Sequence, residues 1–149
     1  MAIATRTILI DVTPEQFFAV ITDYAKYAEF LPAVKSTQVA AGGGLVREVI
    51  YTISLQSRLV TYTLRHTASP PFKMTWTLIK GEALLKGNDG SWILRPSPGG
   101  GTEATYALDL QISALMPAFI EKAIAEQSLP VLLSSFKARA EQLHARTTG

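Results

Sequence analysis

From residue 33 to residue 113 the chain is a succession of period-two apolar runs separated by turn residues, and that pattern constrains its fold most tightly. The breaks are Gly42-Gly43-Gly44, Gln56-Ser57, Ser69-Pro70-Pro71, Asn88-Asp89-Gly90 and the run Pro96 to Gly101. Between them one parity is apolar. Leu45, Val49, Tyr51, Ile53 and Leu55 share theirs with Arg47, and Val60, Tyr62 and Leu64 share theirs with His66. Phe72, Met74, Trp76 and Leu78 alternate with Lys73, Thr75 and Thr77, while Ala104, Tyr106, Leu108, Leu110 and Ile112 alternate with mostly polar residues. Such one-sided strands predict an antiparallel sheet with one wet face and one face that needs a cover.

Helical signals flank this region. Residues 3–12 (IATRTILIDV) read as a first strand, and Thr13-Pro14-Glu15-Gln16 follows as a helix start. A capping threonine, a proline at the first helical position and a glutamine at the capping-box position predict the helix PEQFFAVITD, with Phe17, Val20 and Ile21 on one face. A second short helix, YAKYAEFL, aligns Tyr24, Tyr27 and Leu31 and ends at Pro32. Residues 117–145 predict one long helix. Ile120, Ala123, Ile124 and Gln127 share a face, Leu129, Leu132, Phe136 and Leu143 follow at helical spacing, and Pro130 predicts a kink. With no repeat and no linker, residues 1–149 are expected to form one domain. The long helix is the element large enough to cover the sheet. The expected architecture is therefore α+β: a curved antiparallel sheet of six to seven strands around a long C-terminal helix, with two short helices after the first strand and a tapering space inside.

Composition narrows the chemistry. Of 149 residues 48% are hydrophobic and 17% charged, which excludes disorder and leaves apolar side chains to line that space. Cysteine is absent, so disulfides, thiolate metal sites and cysteine nucleophiles are absent too. The two histidines, His66 and His144, lack ligand-like spacing, so no metal and no cofactor is expected. A net charge of +2, from scattered basic residues, gives no nucleic-acid footprint. The two glycine triplets read as hairpin turns, because neither opens a helix after a strand as a phosphate loop does. No apolar run approaches the ~18 residues of a membrane span, and the first residues lack signal-peptide order, so a soluble cytoplasmic protein is expected. Transient contact with a membrane surface, and the oligomeric state, stay open.

The segment Ile10-Asp11-Val12-Thr13-Pro14-Glu15-Gln16-Phe17-Phe18 and the following Asp23-Tyr24-Ala25-Lys26-Tyr27-Ala28-Glu29-Phe30-Leu31-Pro32 resemble the START-type helix-grip (SRPBCC) superfamily. Gly90-Ser91-Trp92-Ile93-Leu94, the run Gly100 to Tyr106, Met116-Pro117-Ala118-Phe119 and Phe136-Lys137-Ala138-Arg139-Ala140 are similar to its later strands and last helix. The resemblance spans nearly the whole chain and points to the polyketide cyclase/dehydrase and lipid transport group, nearest its coenzyme Q-binding branch. It implies a cavity between sheet and long helix for an apolar molecule such as a quinone, lipid or aromatic polyketide. A related branch is a ribosome-binding toxin, for which the dispersed charge here gives no separate support. Residues Lys86 to Gly90 depart from the quinone-binding branch by reading as a longer, more polar loop.

Tyr51, Tyr62, Met74, Trp76, Trp92 and Tyr106 lie on inward parities, and Phe119, Ile120 and Ile124 face them from the helix, so these are the candidate ligand contacts. Arg47 shares that parity. It either meets a polar ligand group inside or snorkels to solvent from the strand end. His66 is either a ligand partner or proton acceptor, or an ordinary core histidine. No catalytic constellation is assigned. The leading expectation is a protein that binds or transports a hydrophobic small molecule. An aromatase/cyclase using Arg47, Tyr51, Tyr62 and His66, and an interaction module with a packed interior, are the alternatives.

Overall fold

The computed structural model describes residues 2–55, 58–81, 85–112 and 128–144. The described residues contain seven strands: β1 (Ala2–Ile10), β2 (Val34–Gly43), β3 (Val46–Leu55), β4 (Arg58–Ser69), β5 (Lys73–Lys80), β6 (Leu85–Pro96) and β7 (Thr102–Ile112). They form one antiparallel sheet in the order β1-β7-β6-β5-β4-β3-β2. From β2 onward each strand pairs with its chain neighbour, and β1 closes onto β7, so the segment between β1 and β2 crosses the sheet from edge to edge.

That crossing segment holds α1 (Pro14–Ile21) and a 3-10 helix (Tyr24–Glu29). The expected capping box is present: Gln16 N–H donates to Thr13 Oγ1 at 3.2 Å, and Thr13 N–H donates to Gln16 Oε1 at 3.0 Å. The second helix is 3-10 rather than α. Its two buried tyrosines are three residues apart, the spacing that a three-residue turn eclipses on one side. Thr37 Oγ1 donates to the Tyr24 carbonyl at 2.8 Å and fastens this helix to β2.

The last described helix, α2 (Leu129–Leu143), lies across the sheet and packs against α1 and β1. Phe17 of α1, Phe136 of α2 and Trp92 of β6 meet edge-on, with ring centroids 5.2 to 6.4 Å apart. All three are buried, and truncating either phenylalanine to alanine is expected to cost about 3–5 kcal/mol. Polar ties set the position of α2 along β1: Lys137 Nζ donates to the Leu9 carbonyl at 2.7 Å, and Asp11 N–H donates to Glu141 Oε2 at 2.9 Å.

Several expectations change. Asn88-Asp89-Gly90 is no turn and Lys86 to Gly90 no loop, since all five lie inside β6. Polar side chains there find partners on β5: Trp76 Nε1–H donates to Asn88 Oδ1 at 3.0 Å and Thr77 Oγ1–H to Asp89 Oδ1. Along α2 the buried stripe is Leu129, Leu133, Phe136 and Ala140, while Leu132 is half-buried and Leu143 exposed. Pro130 is the second residue of α2; the kink expected there would join it to residues before 128, which lie outside the described residues. The part of the long helix expected from 117 to 127, with Phe119, Ile120 and Ile124, lies outside the described residues. Phe72, placed with the inward parity, precedes β5 and is exposed.

Candidate functional site

Between the inner face of the sheet and α2 lies a cavity of about 390 Å³. Of the sequence candidates, Tyr51, Tyr62, His66, Met74, Trp76, Trp92 and Tyr106 line it. They come from five strands, β3 to β7, and their convergence follows directly from shared parity on a sheet that is covered on one side. Leu31 to Val34 after the 3-10 helix, and Ser128, Val131 and Leu132 at the start of α2, line it as well. The interior expected for a packed module is therefore hollow.

Two aromatic groupings shape the wall. Tyr51 and Tyr62 stack with centroids 5.4 Å apart and an 18° interplanar angle, and Trp76 and Trp92 flank Tyr106 at 5.4 and 4.9 Å. Trp76 can lie flat on β6 because position 90 is glycine: a Cβ there would stand 2.2 Å from Trp76 Cζ2. Two of the three residues that resembled a turn, Asn88 and Gly90, are thus the seat of the indole.

His66 is buried, hydrogen-bonded on both nitrogens and stacked on Tyr24 at 4.4 Å. Nδ1 lies 3.3 Å from Met74 Sδ, and Nε2 lies 2.7 Å from the Tyr51 hydroxyl oxygen. A thioether sulfur only accepts, so the Nδ1 proton points to Met74 and Nε2 accepts from Tyr51 O–H. Burial pushes the imidazole pKa down to about 3, leaving it neutral near pH 7. Burial likewise pushes the Tyr27, Tyr51, Tyr62 and Tyr106 phenols up, so they remain protonated. His66 is thus a poor proton acceptor, already engaged by Tyr51.

Arg47 is not part of this wall. It is the cross-strand neighbour of His66, but Tyr24 lies over that end of the sheet and separates the two. Arg47 instead lines a second, polar pocket with Thr22, Asp23 and Tyr24. Burial raises the Tyr24 phenol pKa to about 12, with the Arg47 guanidinium pulling the other way. The physical reason for the placement is that an unpaired guanidinium in the apolar cavity would lose its hydration without compensation.

Tyr27, Asn88 and Phe136 line the cavity and escaped the sequence reading as site residues. Tyr27 O–H donates to the Ile21 carbonyl, which holds its ring against Tyr51 at 6.2 Å. Asn88 was hidden by its resemblance to a turn residue; Phe136 was legible as core but not as wall. Among the described residues no charged side chain lines the cavity, and no helix is long and apolar enough to cross a membrane.

The comparisons with known proteins agree with this architecture. Over 140 residues the chain is 22% identical to the ribosome association toxin RatA of Vibrio cholerae, covering 94% of this chain and 96% of that one. It superposes on the Zhui aromatase/cyclase of Streptomyces sp. R1128 with a TM-score of 0.86 at 15% identity, covering 97% and 96% of the two chains. A STAR-related lipid transfer protein of Xanthomonas axonopodis gives 0.78 at 11% identity, covering 93% and 85%. At these identities the structural likeness establishes the fold, a START-type helix grip. Residues 1–141 match the family described as polyketide cyclase / dehydrase and lipid transport, and to that family this chain belongs.

Proposed function

We propose that this protein binds or carries a hydrophobic small molecule, such as a lipid, quinone or polyketide-like compound, in the cavity between sheet and α2. The observation that carries this reading is the cavity itself: about 390 Å³ of space walled by aromatic and aliphatic side chains, where a protein interior is ordinarily close-packed. Its volume lies within the range of small-molecule sites. The aromatic wall and the family's descriptions favour a ligand with rings, and a quinone of the coenzyme Q type is one such candidate. Native mass spectrometry of the protein isolated from its own host tests the reading. A co-purifying apolar molecule is the expected result; a protein that holds none and takes up no apolar probe would refute it.

A cyclase reading has one observation in its favour, the Tyr51–His66 hydrogen bond on the cavity wall. In that case His66→Ala and Tyr62→Phe each lower turnover of a poly-β-keto substrate by about 100-fold or more. Unchanged turnover in both variants removes that reading.

A further inference from the structure

Besides the Ser54 and Ser128 hydroxyls, three hydrogen-bond donors in the cavity wall have no acceptor among the described residues. Tyr27 and Tyr51 direct their hydroxyl protons to the Ile21 carbonyl and to His66 Nε2. Tyr62 and Tyr106 line the same space, yet neither hydroxyl has a partner among the described residues. Both residues belong to the wall of the cavity. The third donor is Asn88. The Trp76 indole N–H can only donate, which fixes the Asn88 amide with Oδ1 toward Trp76 and leaves its NH₂ group unpartnered among the described residues. Such an amide nitrogen donates and does not accept, so what it needs is an acceptor.

The charge pattern is equally specific. No Lys, Arg, Asp or Glu among the described residues lines the cavity, and Arg47, the cation with matching parity, lies beyond the Tyr24–His66 stack. A carboxylate or phosphate entering this space would shed its water without gaining a counter-charge from the described residues.

We propose that the cavity selects an electrically neutral ligand bearing at least one oxygen acceptor, such as a carbonyl, and that Tyr62, Tyr106 and Asn88 are the residues that recognise it. This rests on the ligand-binding reading above and sharpens it into a rule of selectivity. Neutral hydrocarbons enter without satisfying the donors, carbonyl compounds enter and satisfy them, and anions are rejected.

Three probes with one bicyclic frame separate the terms: 2-methylnaphthalene, 2-methyl-1,4-naphthoquinone and 2-naphthoate, titrated calorimetrically at pH 7. The quinone probe is chemically safe toward thiol addition here because the chain has no cysteine. The quinone is expected to bind about tenfold or more tighter than the hydrocarbon, equivalent to about 1.4 kcal/mol, and naphthoate more weakly than either. In Tyr62→Phe/Tyr106→Phe the quinone should lose most of its advantage while hydrocarbon affinity stays the same, a split that a general loss of structure would not produce. Equal affinity for quinone and hydrocarbon, or naphthoate binding as well as the quinone, overturns the selectivity rule and leaves the cavity as a binding site. Failure of all three probes overturns the ligand-binding reading together with the rule. These comparisons on the unaltered protein decide the matter even where a variant fails to fold.

Discussion

Substituting Gly90 by alanine tests the link between the misleading turn motif and the cavity wall. The new Cβ would lie 2.2 Å from Trp76 Cζ2, 2.5 Å from Cε2 and 2.6 Å from the Ala107 carbonyl oxygen. All three distances are far inside van der Waals contact, and the third involves backbone that cannot swing aside. Gly90 is not one of the positive-φ glycines, so the cost is steric rather than conformational. Trp76 must tilt off β6, which breaks its hydrogen bond to the buried Asn88. Overpacking costs about 1–3 kcal/mol and an orphaned buried amide about 1–3 kcal/mol more, so about 2–6 kcal/mol is expected. At roughly 2–4 °C per kcal/mol for a domain of this size, the melting temperature should fall by about 4–24 °C. Circular dichroism melts give the shift, and tryptophan emission reports the tilt because both tryptophans line the cavity. Gly87→Ala is the control: there the atoms nearest a Cβ are those of the flexible Gln111 side chain, at 3.3 Å, and less than about 1 kcal/mol is expected. A Gly90→Ala protein that melts within about 2 °C of the parent, with unchanged emission, would refute the steric argument.

Two further outcomes follow from the site. His66 has a folded-state pKa of about 3 against an ordinary value near 6.5, so the unfolded chain binds its proton first and stability falls as pH drops through that interval. Between pH 7 and pH 5 the loss from this group is about 2 kcal/mol, measurable by urea denaturation, and His66→Gln should lack it; an equal pH dependence in both proteins would show that His66 is not buried neutral. Arg47→Ala should leave the affinity of 2-methylnaphthalene within about twofold of the parent, because Arg47 lines the other pocket; a tenfold loss in titration would place it back on the cavity wall.

Much of this arrangement was legible in one dimension because it depends on local rules. Thr13 and Gln16 reciprocally cap α1 through groups three residues apart, and period-two parity put Tyr51, Tyr62, His66, Met74, Trp76, Trp92 and Tyr106 on one face of a sheet. Parity says which face a side chain takes and not what lies above it at that point along the strand. Arg47 and His66 are cross-strand neighbours of the same parity, and only the 3-10 helix, by laying Tyr24 over the sheet there, divides them between two pockets.

The same limit explains Asn88 and Gly90. Asn-Asp-Gly is a favourable turn sequence when judged by its own backbone preferences. Its strand conformation is decided by partners twelve to fourteen residues away on β5, where Thr77 and the Trp76 indole occupy the positions that water and a free loop would otherwise fill. Sequence alone determined the curved antiparallel sheet, its apolar face, the capped first helix and the family. Tertiary structure decided that the apolar face encloses a hollow, that its histidine is spoken for by Tyr51 and Met74, and that the donors of Tyr62, Tyr106 and Asn88 meet no acceptor among the described residues. Hydrogen-bond partners of buried groups are chosen by long-range packing, and no periodicity within one strand encodes them.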